Sequence, residues 1–376
     1  MIKRILATVI KDKVNTNKVI IILGPRQVGK TSLLKDVFKN SDAVWINGDS
    51  IDERSLLEQE SETRYKAYFS NTKLLIIDEA QRIKNIGLNL KIIHDQLKIK
   101  LVATGSSSFD LANKINEPLT GRKLEYNLFP LSFQEMANHH GLFEEVKNLP
   151  NRLIYGCYPE VVTKQGSQKE VLLHLASSYL YKDILEWSKI KKSDKLLKLL
   201  QAIAFQIGNQ VSYNELANTV GINKETVENY IDLLEKSFVI FRLHSFSRNL
   251  RNELKKSKKI YFYDNGVRNA LINNFNPIEL RNDIGALWEN YIISERIKFT
   301  NYQQIYSNKY FWRTKSQQEI DYIEERNGNL FAYEFKWNTR KKVKIPKSFL
   351  TAYPNAVTKI ITPENYYEFI TQIDEK

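Results

Sequence analysis

With 376 residues, 42% of them apolar, and no apolar run near the roughly 18 that a membrane span needs, the chain reads as two or three globular domains, each able to bury its own core. The single cysteine, Cys157, excludes an intramolecular disulfide, and five scattered histidines, His139 and His140 among them, show no zinc-ligand spacing. The formal charge is +13, and Lys plus Arg against Asp plus Glu runs 22 to 18 over residues 1–150 but 34 to 25 over 151–376, so a polyanion partner fits the second part better than the first.

The N-terminus, MIKRILATVIKDKV, has only a short apolar block before lysines resume. That is too short for a signal peptide's apolar region, and the expectation is a cytoplasmic protein. A β-branched strand, Val19 to Leu23, then leads into IILGPRQVGKTSLL, which satisfies G-x-x-x-x-G-K-[ST] at Gly24, Gly29, Lys30 and Thr31, with a helix from Ser32 running out. Backbone N–H groups of such a loop cradle phosphates, so Gly24, Pro25, Arg26, Gln27, Val28, Gly29, Lys30, Thr31 and Ser32 are the predicted ATP-binding residues. Lys30 is placed to reach the β- and γ-phosphates and Thr31 the Mg²⁺.

LLIIDEA, from Leu74, is a buried-strand pattern ending in adjacent acids, as a parallel sheet presents at its carboxyl edge. Asp78 can hold Mg²⁺ and its water shell, and Glu79 can orient or deprotonate the attacking water. KLVATGSSS, from Lys100, is another strand with polar residues at its end. Thr104 or Ser106 could sense the γ-phosphate from there; ordinary loop hydroxyls fit the same pattern equally well.

Residues 132 to about 190 alternate apolar and polar groups at helical spacing, which predicts a small helical lid over the nucleotide. Three helical stretches and a strand follow between 194 and 247, and a short helix, a turn through Gly221 and a second amphipathic helix make a winged helix-turn-helix layout. The candidate recognition helix carries Glu225, Glu228, Asp232 and Glu235, so a packing module fits as well as a major-groove reader. Two basic runs stand out, RLHSFSRNLRNELKKSKK from Arg242 and KWNTRKKVKIPK from Lys336.

GALWENYIISERIKF, from Gly285, predicts a helix, and EIDYIEERNGNLFAYEFKW, from Glu319, predicts a β-hairpin about Asn327-Gly328. A two-residue turn sets Arg326 opposite Asn329, Asp321 opposite Glu334 and Glu319 opposite Lys336, with Ile320, Tyr322, Phe331, Tyr333, Phe335 and Trp337 on the core face. Two carboxylates facing each other are destabilising unless a cation lies between them. A solvent-facing sheet with a Glu319–Lys336 pair and two tolerated acids is the other way to read that face.

GPRQVGKT, LLIIDEAQ, TGSSS and LTGRKLEYNLFPLSFQE, in this order, resemble the motifs of P-loop ATPases of the AAA+ class, specifically the archaeal-type ATPases that also occur in bacteria. The resemblance covers the whole chain, because such ATPases carry a C-terminal region that looks like a nuclease fold. It implies that Arg122 contacts the γ-phosphate of its own or a neighbouring subunit, and it admits a homo-oligomer. Glu289, Asp321 and Glu334-x-Lys336 resemble a PD-(D/E)xK nuclease site, with Ile320 in place of that family's proline. There Asp321 and Glu334 would hold Mg²⁺ or Mn²⁺, Glu289 would complete the acidic set, and Lys336 would steady the developing charge.

The expected fold is therefore α/β: a parallel-sheet P-loop domain over 1–131, a helical lid over 132–192, a winged helix-turn-helix over 193–254 and an α/β nuclease-like domain over 255–376. The expected function is Mg²⁺-dependent ATP hydrolysis by a protein acting on or binding DNA, with no membrane partner. A signalling ATPase that binds a protein through a non-catalytic C-terminal region is the alternative.

Overall fold

The computed structural model describes residues 2–59, 61–106, 115, 118–177, 193–247, 257–338 and 344–374. They fall into two compact units, residues 1–130 with 236–238, and residues 131–235 with 239–376. Part of the expected lid (178–192) and parts of both basic runs (248–256 and 339–343) lie outside the described residues.

The first unit is built on five parallel strands, β1 (Val19–Leu23), β2 (Ala43–Asn47), β3 (Leu74–Asp78), β4 (Lys100–Gly105) and β5 (Lys123–Asn127), in the order β2-β3-β4-β1-β5. All five residues of β1 and the first four of β3 are buried, which is why both read as unbroken apolar runs rather than alternating ones. A right-handed helical crossover between parallel strands leaves the loops that follow β1, β3 and β4 at one carboxyl edge. β4 lies between β1 and β3, so the strand carrying Thr104 separates the phosphate loop from the acidic pair.

The second unit holds a mixed sheet of seven strands: β6 (Gln210–Val211), β7 (Ile240–Ser245), β8 (Lys258–Phe262), β9 (Asn308–Arg313), β10 (Glu319–Arg326), β11 (Asn329–Phe335) and β12 (Val357–Ile361). Their order is β12-β11-β10-β9-β7-β8-β6. The helices Ser193–Phe205, Tyr213–Val220 and Lys224–Lys236 follow one another, with β6 after the first and the antiparallel β7–β8 pair after the last. β7 also pairs in parallel with β9, so these strands and those of the hairpin share one sheet.

Residues 131–163 are bonded into this second unit. The Phe133 N–H donates to Glu295 (2.7 Å), Lys298 donates to the Leu131 carbonyl (3.1 Å), and Asn265 and Asn269 donate to the carbonyls of Leu153 and Ile154 that the helix Leu149–Tyr155 leaves unpaired at its end. Buried Asp264 accepts from the N–H groups of Cys157 (2.7 Å) and Val267 (3.1 Å), fastening the same segment to the helix Asn265–Leu271. The described part of the segment expected as a lid is thus bonded to the C-terminal helices, because its end groups find partners there.

The hairpin forms with the expected register, Arg326 opposite Asn329 and Tyr322 opposite Tyr333, and both Asn327 and Gly328 adopt the positive φ a type I′ turn requires. Its faces differ from expectation in one respect. A bulge between Ile320 and Ile323 sets two residues, Asp321 and Tyr322, against Phe311 alone, since Ile320 faces Trp312 and Ile323 faces Tyr310. Ile320 therefore joins Ile323, Ala332, Trp312 and Phe349 in one core, while Tyr322, Tyr333 and Phe335 pack on Phe369 in another. Both faces of the hairpin are buried, and the acids on it are enclosed rather than solvated.

Candidate ATPase site and a second carboxylate cluster

At the carboxyl edge of the first sheet the phosphate loop turns from β1 into the helix Lys30–Val37. A Cβ on Gly24 would lie 2.1 Å from the Leu128 carbonyl oxygen, so no larger residue fits where the loop leaves the strand. Val28 is buried, Pro25 is buried, and Gln27 and Ser32 are exposed, with Arg26, Gly29 and Thr31 between these extremes. Lys30, buried, folds its ammonium back to the carbonyls of Gly24 and Pro25, 2.9 Å from each, a pose from which phosphate oxygens can take it over.

The magnesium-binding and water-activating groups meet around Asp78. Thr31 Oγ1 donates to Asp78 Oδ2 at 2.6 Å, Thr104 Oγ1 donates to Asp78 Oδ1, and Thr104 in turn accepts the Glu79 N–H at 3.2 Å. Thr104 is therefore used in holding the acidic pair, and Ser106 lies one step further, accepting from Gln81 Nε2 at 3.0 Å. The same Gln81 amide donates to Glu79 Oε2. Glu79 itself sits at φ 49°, a left-handed backbone that an unbranched acid adopts only when its surroundings hold it. A serine or threonine hydroxyl beside an aspartate, a lysine on loop carbonyls and a glutamate steered by an amide are the donor set that ATP with Mg²⁺ requires, so the residues fit the nucleotide.

Arg4 belongs to this site and carries no sequence signal of its own. Its guanidinium donates to the Val28 carbonyl (2.6 Å) and the Phe129 carbonyl (2.7 Å), and it is largely buried. A planar peptide pinned at its carbonyl is pinned at its N–H as well, so Arg4 fixes the Val28–Gly29 peptide and aims the Gly29 N–H away from itself. Arg4→Ala should weaken ATP binding by about tenfold to a hundredfold, from charge-assisted hydrogen bonds of about 1.5–3 kcal/mol, with a smaller change in kcat. Nucleotide titration and steady-state kinetics on Arg4→Ala and Arg4→Lys would check it; unchanged affinity in both variants would remove the brace from the site.

Arg122 does not reach the γ-phosphate of its own subunit. It precedes β5, whose Lys123 faces Val19, the first residue of β1, and its carbonyl accepts the Val19 N–H at 2.8 Å. The phosphate loop leaves the other end of β1, roughly 16 Å away at the rise of a parallel strand. The guanidinium is instead bonded to both oxygens of Asp95 (2.9 and 3.1 Å), and the Asp95 carboxyl is held below its usual range first by that Arg122 bond and then by the one to His94.

In the second unit the predicted cluster does assemble, with a different cation in it. Asp321 and Glu334 are both buried, and burial first, then the neighbouring carboxylates, push the Asp321 carboxyl well above its ordinary range. Burial raises Glu334 too, against the pull of Lys336. Lys336 Nζ lies 2.7 Å from Glu334 and 4.0 Å from Asp321, and the Asp321 carboxylate accepts the Phe335 N–H at 2.8 Å. The predicted cross-strand pair of Glu319 with Lys336 is not formed: Glu319 contacts Lys259 and lies 3.3 Å from Arg313. Lys259, from β8, also reaches Glu289 at 3.1 Å, and Tyr261 donates to the same Glu289 oxygen. Among the described residues no group of three or more His, Cys, Asp or Glu side chains is placed to hold a metal ion.

The basic run from Arg242 is also partly spent inside the fold. Arg242 pairs with Asp232 (2.7 Å) and with Glu235, Lys259 is buried in the cluster above, and Lys258 stands over the Tyr213 ring. Two of the four acids counted against the recognition helix are thus paired with this one arginine. No helix among the described residues is long and apolar enough to cross a membrane.

Three family models match successive parts of the chain. Residues 16–137 match the AAA domain family, residues 146–278 match a domain of unknown function (DUF8612), and residues 284–372 match another (DUF4143). An uncharacterized protein of Mycobacterium tuberculosis is 24% identical over 85% of this chain and 70% of its own length, and one of Methanocaldococcus jannaschii is 25% identical over 98% and 87%. The Walker-type ATPase of Pyrococcus abyssi aligns in structure over 71% of this chain and 94% of its own, at 16% identity and a TM-score of 0.47. The chain thus matches, in order, an AAA domain and two domains of unknown function.

Proposed function

We propose that the protein is a Mg²⁺-dependent ATP-hydrolysing switch whose second unit binds DNA. The observation that carries hydrolysis is the linked set Thr31, Asp78, Thr104, Glu79 and Gln81, which ties the phosphate loop to an acid held next to it by an amide. Thr31 and Asp78 would hold the metal, which neutralises phosphate charge when bound with ATP. Lys30 moves from the loop carbonyls to the phosphates, and Glu79 orients the water and accepts its proton on the carboxylate.

DNA as the partner is supported by the +13 charge and by the helix-turn-helix over Tyr213–Val220 and Lys224–Lys236. The use of Arg242 and Lys259 inside the fold favours the second reading, a protein-directed switch. Turnover separates the two: duplex DNA should raise the ATPase rate severalfold, with an effect that falls as salt rises because phosphate contacts release counterions. A rate indifferent to linear, forked and circular DNA at low salt would reject DNA as the partner. Arg122, kept from its own nucleotide, remains available to a neighbouring subunit in this reading.

A further inference from the structure

Two carboxylates face each other across the hairpin, and the resemblance to nuclease sites assigned a metal ion to the space between them. The chain fills the cluster with cations of its own. Lys259 is 1% exposed in its side chain, and its ammonium touches Glu319 and lies 3.1 Å from Glu289. Burial alone would strip its proton, but Glu289, Asp321 and Glu319 overcome that and keep the lysine charged. Tyr261, two residues along β8, donates to the same Glu289 oxygen and fixes it toward the lysine. Lys336 holds one oxygen of Glu334 and approaches Asp321, while the other Glu334 oxygen is buried with no hydrogen-bond partner.

A divalent ion at such a site needs several oxygens at about 2.0–2.6 Å. It cannot share the gap between Glu289 and Glu319 with an ammonium already within hydrogen-bonding distance of both. The buried lysine has nowhere cheap to go, since leaving would strand its charge or the acids'.

We propose that Lys259 is a resident cation of this cluster, holding Glu289 and Glu319 as Lys336 holds Glu334, so that two acids of the nuclease-like set are already bonded to an ammonium and the second unit is held together without a divalent ion and does not cut nucleic acid. This goes beyond the ATPase and DNA readings and does not depend on either.

The test uses full-length, nucleotide-free protein melted with EDTA or with millimolar Mn²⁺. The wild type should melt at the same temperature in both and release no products from linear or circular DNA. Lys259→Ala should melt lower in EDTA and regain about 3 °C or more in Mn²⁺, because four carboxylates are left facing one lysine and one arginine; adding Glu289→Gln to it should abolish that rescue. Lys259→Met, close in shape, serves if the alanine variant does not fold, and Lys259→Arg should stay as indifferent to Mn²⁺ as the wild type. A wild-type stabilisation by Mn²⁺ that Asp321→Asn removes would overturn the proposal. So would Mn²⁺-dependent cleavage lost in Asp321→Asn, or folded Lys259→Ala and Lys259→Met proteins that both ignore Mn²⁺.

Discussion

Glu79→Gln should bind ATP as the wild type does and hydrolyse it about 10² to 10⁴ times more slowly, the usual cost of losing a positioned acid–base group. The geometry makes the substitution a clean one. Gln81 Nε2 donates to one Glu79 oxygen and Thr104 accepts the Glu79 N–H, so the glutamine's carbonyl oxygen can keep the first bond and its backbone the second. What disappears is the capacity to take a proton from water. Lys30→Ala should fail earlier, losing tight binding, because its ammonium is folded onto the loop carbonyls of Gly24 and Pro25, where phosphate oxygens would take it over. Equilibrium binding and single-turnover hydrolysis on the two variants check the pair of expectations. Equal hydrolysis by wild type and Glu79→Gln would sink the assignment of the base, and an unaltered Kd in Lys30→Ala would sink that of the phosphate lysine.

The largest expected loss of stability follows Arg296→Met. Arg296 is fully buried and grips Glu324, equally buried, through two hydrogen bonds of 2.8 and 2.9 Å; it also donates to the carbonyls of Phe369 and Gln372 and lies over the Phe369 ring. Removing it leaves a carboxylate inside the protein with Arg326 (3.1 Å) and the Tyr322 hydroxyl (3.0 Å) as its remaining support. Breaking a buried pair from one side costs about 3–5 kcal/mol, while replacing both partners by apolar groups is often neutral. The double variant Arg296→Met/Glu324→Leu should therefore be more stable than Arg296→Met, and denaturant unfolding of the second unit's transition would measure it. A single variant within about 1 kcal/mol of the wild type would show that the pair is not a linchpin.

The same pair sets an acid limit. Burial would raise the Glu324 carboxyl, but the Arg296 hydrogen bonds and charge outweigh it and hold the group below the ordinary range of a glutamate. A carboxyl lowered by folding contributes stability above its unfolded pKa and loses it as pH falls through the folded one. The wild type should accordingly lose stability below about pH 4.5 more steeply than the double variant, which has no carboxyl there to protonate.

The phosphate loop and the acidic strand end were legible in the amino-acid sequence alone. A phosphate loop is a local object: its glycines, lysine and threonine are consecutive, and the strand and helix on either side read from the same window. The acidic pair Asp78-Glu79 was legible for the same reason, as a buried strand must end where polar groups begin. The hairpin register was legible too, because Asn327-Gly328 forces a two-residue turn and the turn dictates every pair beyond it.

Tertiary structure decided what no window contains. Arg4 lies far along the chain from the Phe129 carbonyl it grips, and the pairing of Lys123 with Val19 is what keeps Arg122 at the wrong edge of the sheet for its own nucleotide. The bulge that moves Ile320 to the other face of the hairpin depends on how β10 meets β9, a contact invisible in either strand alone. Most of all, Lys336 beside the two hairpin carboxylates was legible, but the second cation of the cluster was not. A lysine within a basic run reads as a solvated charge, and only the folding of β8 beside the helix Ile284–Tyr302 and the hairpin carries Lys259 into the cluster, where burial makes every ionic contact stronger and every unpaired charge costlier.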